Sequence, residues 1–362
     1  MGTPKKRLVI CCDGTGRDSI RERNEYLTNV ARYARCIKST SSGGVLQLVY
    51  YHEGVAMHDG KFQYREAATG QGIHSMIQDA YYFLCLNFNF DELQHDEIHL
   101  IGFSRGAFAV RALACFIEDV GILAKSRLAL LSMVYNVWRG QDLDRLKTHI
   151  ESWVKKGYLK RDIEITSCGV WDTVSAMYPA KELAFVSPRI PRILRNAFQA
   201  LALHEMRTAF PPILWNYEAL HSANTIIKQC WLAGDHSDIG GGHSDSGLAA
   251  LSLLWMVSQF QEYTEAEFDE LMVLDCLTPL YLRWQEQALV NWEDATFFNK
   301  QEYILRSHMY TRGEAFSLWI SYDNKDSRQC PRAGIVDHKS LAPAWSIKSV
   351  STGAISQLGL PS

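Results

Sequence analysis

Apolar residues fall in short blocks separated by stretches with helical spacing, and the two patterns alternate through the first third of the chain. Leu8 to Cys12 is short enough for a buried strand and stops at the turn-forming cluster Asp13-Gly14-Thr15-Gly16. Asn29 to Ile37 carries helical spacing, Val45 to Tyr51 alternates as a second strand, and Gly54 to Gly72 is a glycine-punctuated loop. From Gly72 to Phe88, the residues Ile73, Ile77, Ala80, Tyr81 and Leu84 share one helical face. Ile98, Leu100 and Ile101 make another short apolar run, and Ala107, Val110, Ala114 and Ile117 then recur at helical spacing. Strand and helix in this order predict an α/β fold with a mainly parallel, doubly wound sheet and active groups at the carboxyl ends of strands.

The later sequence is less regular. Gly121 to about Lys160 reads as helices rich in Leu, Trp, Tyr and Arg, and Ile163 to Trp171 as a strand. The proline-marked stretch from Pro179 to Pro212 is expected to hold a helix at Ile193 to Arg207. Ile226 to Ala233 reads as a strand and Leu248 to Phe260 as a helix. One α/β domain is expected over residues 1–362, with the segments 121–160, 179–212 and 265–330 as helical cap or peripheral layers.

Composition narrows the classes. A formal net charge of −3 with no basic block excludes a polyanion-binding surface, so no nucleic-acid partner is expected. The nine cysteines lie mostly in apolar surroundings and read as small core residues in a reducing compartment. None forms a Cys-x-x-Cys pair, so no metal site is expected, and no cofactor is called for. The N-terminus runs straight into the first strand, and no apolar run reaches the ~18 residues of a transmembrane segment; a cytoplasmic protein is the expectation. Oligomeric state is not legible.

The chemistry concentrates at Gly102-Phe103-Ser104-Arg105-Gly106, between an apolar strand and an amphipathic helix. That is the context of a nucleophile elbow, where a serine sits in a strained turn and the helix N-terminus directs N–H groups at the same spot. A serine hydroxyl needs a base and an acid to orient it, in the chain order Ser, acid, His. Asp172 follows the strand ending at Trp171, and Asp235-His236 follow the strand ending at Ala233. Ser104, Asp172 and His236 are therefore the candidate catalytic set, with His338 as the alternative base. His243 is a weaker rival, and Asp235 and Asp238 lie too near His236 to oppose it, so they read as turn-amide acceptors. Asp13, Gly14 and Thr15, together with Arg105, are candidates for oxyanion or substrate binding, chiefly through backbone N–H groups of Gly14 or Thr15 and of Arg105, and an Asx-type turn that shapes the loop is the other reading of Asp13-Gly14-Thr15. Trp284, Trp292, Phe297, Phe298, Phe316 and Trp319 are candidates for lining an acyl or aromatic pocket. A phosphatase or phosphotransferase using Asp13, and a non-catalytic binding protein on the same scaffold, stand as alternatives.

Taken in order, Cys12-Asp13-Gly14-Thr15, Thr28-Asn29-Val30-Ala31-Arg32, Tyr50-Tyr51-His52-Glu53-Gly54-Val55, Gly102-Phe103-Ser104-Arg105-Gly106-Ala107, Trp171-Asp172-Thr173-Val174 and His236-Ser237-Asp238-Ile239-Gly240-Gly241-Gly242 form a distinctive set. It resembles the α/β-hydrolase-domain family that includes the phospholipase effectors of bacterial type VI secretion and many fungal proteins, over about residues 7 to 255. Asp337-His338-Lys339-Ser340 resembles a degraded His-Pro-Ser element near that family's end. The resemblance implies a serine hydrolase acting on carboxylic esters, with Ser104, Asp172 and His236 on the matching motif positions. A lipid ester is one substrate class it suggests. A small-molecule ester or thioester is the other, with acyl transfer or ring closure in fungal secondary metabolism among the outcomes.

Overall fold

The computed structural model describes residues 4–15, 17, 27–54, 71–90, 96–174, 182–187, 189–205, 207, 211–215, 225–243, 245–276, 319–322 and 345–348. The first half runs β1 (Lys6–Cys12), α1 (Asn29–Cys36), β2 (Leu46–His52), α2 (Gln71–Asn87), β3 (Glu97–Phe103) and α3 (Ser104–Val120). Next come β4 (Ile122–Leu123), α4 (Leu131–Arg139), α5 (Leu143–Lys155), β5 (Leu159–Lys160), β6 (Ile165–Trp171), β7 (Leu194–Ala202) and β8 (Ile226–Leu232). They are followed by α6 (His236–Gly240), α7 (Gly247–Tyr263), α8 (residues 270–276), β9 (Trp319–Tyr322) and β10 (Trp345–Lys348).

The main sheet has the order β10-β9-β8-β7-β6-β3-β1-β2. Strands from β2 across to β8 are mutually parallel, while β9 runs antiparallel to β8 and β10 antiparallel to β9. The chain leaves β1 for β2 on one side and returns past it to β3 on the other. Neighbouring strands whose connections diverge in this way leave a crevice at their carboxyl ends, and that is where α/β sheets hold their ligands. Asp13 and Ser104, the residues immediately after β1 and β3, both fall there.

Both faces of the sheet are covered, which is why β1 is apolar at every position after Arg7. Its side chains alternate: Leu8, Ile10 and Cys12 pack with α2, α3 and α4, whereas Val9 and Cys11 pack with α1 and α7. Residues 121–160 form the antiparallel β4–β5 pair enclosing α4 and α5, layered over α2 and α3. Among the described residues no helix is long and apolar enough to cross a membrane.

Two expectations fail here. The helix expected at Ile193 to Arg207 is instead β7, an interior strand, so the 179–212 segment is not merely a peripheral layer. Leu-Arg-Asn-Ala-Phe-Gln-Ala-Leu-Ala is built largely of good helix formers, and eight of its nine residues are buried, so the sequence shows no alternation to reveal a strand. Likewise the 265–330 segment contributes β9 to the sheet itself.

Candidate active site

Ser104 sits at the sharp junction of β3 and α3. Phe103 is extended, and Ser104 then takes a φ of +57°, a left-handed conformation that costs a non-glycine residue on the order of 1–3 kcal/mol. The flanking glycines make the bend possible: a Cβ on Gly102 would lie 2.6 Å from Ala107 Cα, and one on Gly106 would lie 2.2 Å from the Cys12 carbonyl oxygen. The first lets α3 fold back over β3, and the second lets the first turn of α3 press onto the end of β1. Ser104 is buried to all but 7% of its surface.

Two strands on the same side of β3, β6 and β8 with β7 between them, bring its partners. Asp172, directly after β6, has a φ of +37° and is 1% exposed. Its Oδ1 accepts from the Ala202 N–H at 3.1 Å, and its Oδ2 lies 2.6 Å from His236 Nδ1. His236 Nε2 in turn is 2.9 Å from Ser104 Oγ. Because an ionised carboxylate only accepts, Nδ1 carries the proton and Nε2 is left to accept from the serine hydroxyl. The imidazole lies against the Phe103 ring, 4.6 Å between centroids. His236 opens α6, which Asp235 caps: its side chain accepts from the Ser237 and Asp238 amides while Asp238 accepts from the Asp235 amide. Glu205, not singled out from the sequence, accepts from the His236 N–H at a long 3.4 Å; hydrogen bonds from Arg207 hold its carboxyl down to about 2.

Of the two readings the sequence leaves open for Asp13, its hydrogen bonds favour the one that shapes the loop. It is 1% exposed, its Oδ2 accepts from Thr28 Oγ1 at 2.6 Å and Tyr51 OH at 2.7 Å, and its Oδ1 accepts from the Gly14 N–H at 2.6 Å. Burial pushes the carboxyl above its usual range against the pull of those donors and of Arg17. With both oxygens covered and occupied, Asp13 presents none to a phosphoryl group, so the phosphotransferase reading fails on access. Asp13 is a tie that joins the ends of β1 and β2 to the N-cap of α1. The Gly14 N–H is taken by this tie, which removes it from the candidate oxyanion donors. Gly14 still lies against the serine, since a Cβ there would sit 3.4 Å from Ser104 Cβ. Thr15 Oγ1 is buried with no hydrogen-bond partner, and Arg105 is half-buried, its guanidinium made less basic by that burial.

Among the described residues, no other histidine joins this group. His243 is exposed and pairs with Asp235 at 3.5 Å, and His338 lies outside the described residues. Asp235, Asp238 and His243 are close enough to share an ion, yet Asp235 Oδ1 and Asp238 Oδ2 already accept cap amides. Of the aromatic candidates, Trp284, Trp292, Phe297, Phe298 and Phe316 also lie outside the described residues, and Trp319 begins β9. A further residue the sequence reading used only as part of a motif is Asn29, fully buried, whose Nδ2 donates to the carbonyls of Ile239 at 2.9 Å and Ala249 at 2.8 Å. It pins α6 and α7 to α1, and so fixes the helix that carries His236.

A parallel sheet wound on both faces, with a serine at a left-handed turn after its central strand, is the architecture of an esterase- and lipase-like α/β hydrolase. The chain belongs to the family of T6SS phospholipase effector Tle1-like catalytic domains, whose family model matches residues 6–259. A relative is the uncharacterised Saccharomyces cerevisiae protein YEL023C, 24% identical over 253 residues, which cover 62% of this chain and 36% of that protein. Among solved structures, an uncharacterised protein from Pseudomonas aeruginosa aligns at a TM-score of 0.49 and 16% identity over 79% of this chain and 51% of that one. The Tle1 effector bound to the VgrG spike of the type VI secretion system aligns at a TM-score of 0.41 and 18% identity, over 67% of this chain and 52% of that one. The chain thus spans about a third of the length of its yeast relative and about half of each of these two structures.

Proposed function

We propose that this protein hydrolyses carboxylic esters through a covalent acyl intermediate on Ser104. The observation that carries the reading is the unbroken line from Ser104 Oγ to His236 Nε2 at 2.9 Å and from His236 Nδ1 to Asp172 Oδ2 at 2.6 Å. His236 accepts the hydroxyl proton as Oγ attacks the ester carbonyl, and Asp172 stabilises the imidazolium that forms. The tetrahedral oxyanion is met by the backbone N–H of Arg105, at the start of α3, and by that of Thr15 from the β1 loop. His236 then returns its proton to the departing alcohol, leaving the acyl group on Ser104. Water enters, His236 takes its proton, and the acid is released with Ser104 restored.

The family's description as a phospholipase effector supports an acyl ester of a lipid as the substrate class. A fluorophosphonate probe, which phosphonylates activated serines, tests the chemistry: the wild-type chain is expected to label and Ser104→Ala to remain unlabelled, with ester turnover reduced by several orders of magnitude, ~10⁴-fold or more. An unlabelled wild-type protein, or equal labelling of Ser104→Ala, overturns the proposal. Phospholipid vesicles compared with short-chain nitrophenyl esters then separate a lipid substrate from a small-molecule one.

A further inference from the structure

Far along the chain from the elbow, two thiols are brought together. Cys36 ends α1 and Cys276 is the last described residue of α8; they are 240 positions apart in sequence, and their Sγ atoms are 3.8 Å apart. The other described cysteines are buried, whereas Cys276 is partly exposed to solvent. The backbone around the pair is fixed. The Asp269 N–H donates to the Cys36 carbonyl at 2.7 Å, the Lys38 N–H donates to the Glu267 carbonyl at 3.1 Å, and the Phe268 ring packs edge-on against Tyr33 at 5.2 Å.

Charges of both signs face the pair: Arg32 and Arg35 on one side, Asp269 and Asp275 on the other. Arg32 lies one helical turn ahead of Cys36 on the same face of α1, is 5% exposed, and has an Nη1 that is buried without a hydrogen-bond partner. A buried guanidinium with an unpaired N–H favours a neighbouring anion, and a thiolate supplies one. The hydrogen bond from Cys36 and the positive charges of Arg32 and Arg35 hold the Cys276 thiol below its usual range. The same hydrogen bond, together with burial, pushes Cys36 up, and Cys276, the one of the two that reaches solvent, is the thiol a peroxide meets first.

We propose that Cys36 and Cys276 are a peroxide-oxidisable thiol pair that closes to a disulfide between α1 and α8. The Cys276 thiolate attacks one oxygen of a hydroperoxide, the O–O bond breaks, and a sulfenic acid forms while the departing oxygen leaves as hydroxide or alkoxide and takes up a proton. The Cys36 sulfur then attacks the sulfenic sulfur, the S–S bond forms, and hydroxide leaves and combines with the Cys36 proton as water. With hydrogen peroxide the balance is two thiols and one peroxide giving one disulfide and two waters. The bond would staple α8 to the helix whose first residue, Asn29, secures α6 and α7.

The test uses the full chain exposed to a slight excess of hydrogen peroxide, followed by alkylation, unfolding and peptide mapping. A Cys36–Cys276 linked peptide is expected in the wild type and absent from Cys276→Ser, and the oxidised wild type is expected to melt on the order of 5 °C higher with no such rise in the variant. In the reduced native protein, iodoacetamide is expected to modify Cys276 ahead of every other described cysteine, and Arg35→Gln, at an exposed position, is expected to slow that reaction. Oxidation that links other cysteines or stops without the 36–276 peptide, or a Cys276 that alkylates no faster than its buried counterparts, overturns the inference.

Discussion

Replacing Asp172 with asparagine isolates the role of the carboxylate with little change of shape. The position needs a φ of +37°, which asparagine tolerates as readily as aspartate, so the turn after β6 should survive. The orientation of the new amide is dictated by its neighbours. Oδ1 accepts from the Ala202 N–H at 3.1 Å, so the amide oxygen must stay there and the NH₂ group must face His236 Nδ1, where Oδ2 now lies at 2.6 Å. A donor at that point forces Nδ1 to accept and moves the imidazole proton to Nε2, 2.9 Å from Ser104 Oγ. The base then carries a proton on the nitrogen that should receive one, and the imidazolium loses its counter-charge. The expected loss is ~10⁴-fold in kcat, about 5 kcal/mol of transition-state stabilisation. The assay is ester turnover together with the rate of fluorophosphonate labelling, with circular dichroism to verify the fold. A folded Asp172→Asn protein that keeps more than about a tenth of wild-type kcat would refute this assignment of the proton relay.

Other consequences follow from particular contacts. A Cβ on Gly54 would lie 1.6 Å from the Gly14 carbonyl oxygen and 3.0 Å from the Thr15 nitrogen, so Gly54→Ala must displace the peptide beside Ser104; kcat is expected to fall ~10²-fold with less change in KM, and an unchanged kcat would clear that loop of a role in the oxyanion site. Arg111 is buried with its guanidinium donating to the carbonyls of Ile213, Ser187 and Leu214 at 2.7, 2.7 and 3.3 Å, and burial brings its pKa down to about 10. Arg111→Met takes this donor from the Ser187 and Leu214 carbonyls, while Ile213 keeps Gln199 Nε2 at 2.8 Å, and is expected to lower unfolding stability by ~2–4 kcal/mol in a urea titration; a loss under ~0.5 kcal/mol would contradict the clamp. At the opposite end of the sheet, His99 is fully buried, with Nδ1 2.7 Å from Ser167 Oγ and Nε2 3.4 Å from Glu97. Burial lowers the His99 pKa from 6.5, and Glu97, though burial alone would raise it, is held well below 4.5 by hydrogen bonds from His99, Lys5 and Arg7. Both folded-state values lie below the unfolded ones, so the unfolded chain binds protons that the folded chain does not. Stability is therefore expected to be full above 6.5, to fall as the pH drops below that value, and to fall again below 4.5, with His99→Gln flattening the first stage. Superimposable pH profiles of denaturation midpoint would count against this.

The parallel core was legible because its strands are short apolar runs and its helices carry one-sided apolar spacing. The three residues that meet at the elbow were legible for a related reason: each stands just past the carboxyl end of a strand, where the sheet order turns a local position into a shared one. β7 was not legible, since a strand buried on both faces, and with Phe198 as its one strand-favouring residue among Ala, Leu, Gln, Asn and Arg, presents no alternation. β9 depends on pairing with β8 across a long stretch of chain, and β10 on pairing with β9, information no local pattern holds. The same limit explains Arg111, whose partners are backbone carbonyls from distant segments, and the contact of Glu205 with the His236 N–H. For Asp13 the sequence leaves two readings open, because only the positions of Thr28 and Tyr51 reveal that its carboxylate is already occupied.

The central claim is that Ser104 carries the acyl group during turnover. Rapid-quench intact mass spectrometry on a slowly deacylated ester, followed by peptide mapping, measures this directly. An adduct equal in mass to the acyl group, confined to the peptide containing Ser104 and lost in Ser104→Ala along with turnover, is the expected result. Hydrolysis that proceeds at the wild-type rate in Ser104→Ala, with no acyl adduct on any serine, would contradict it.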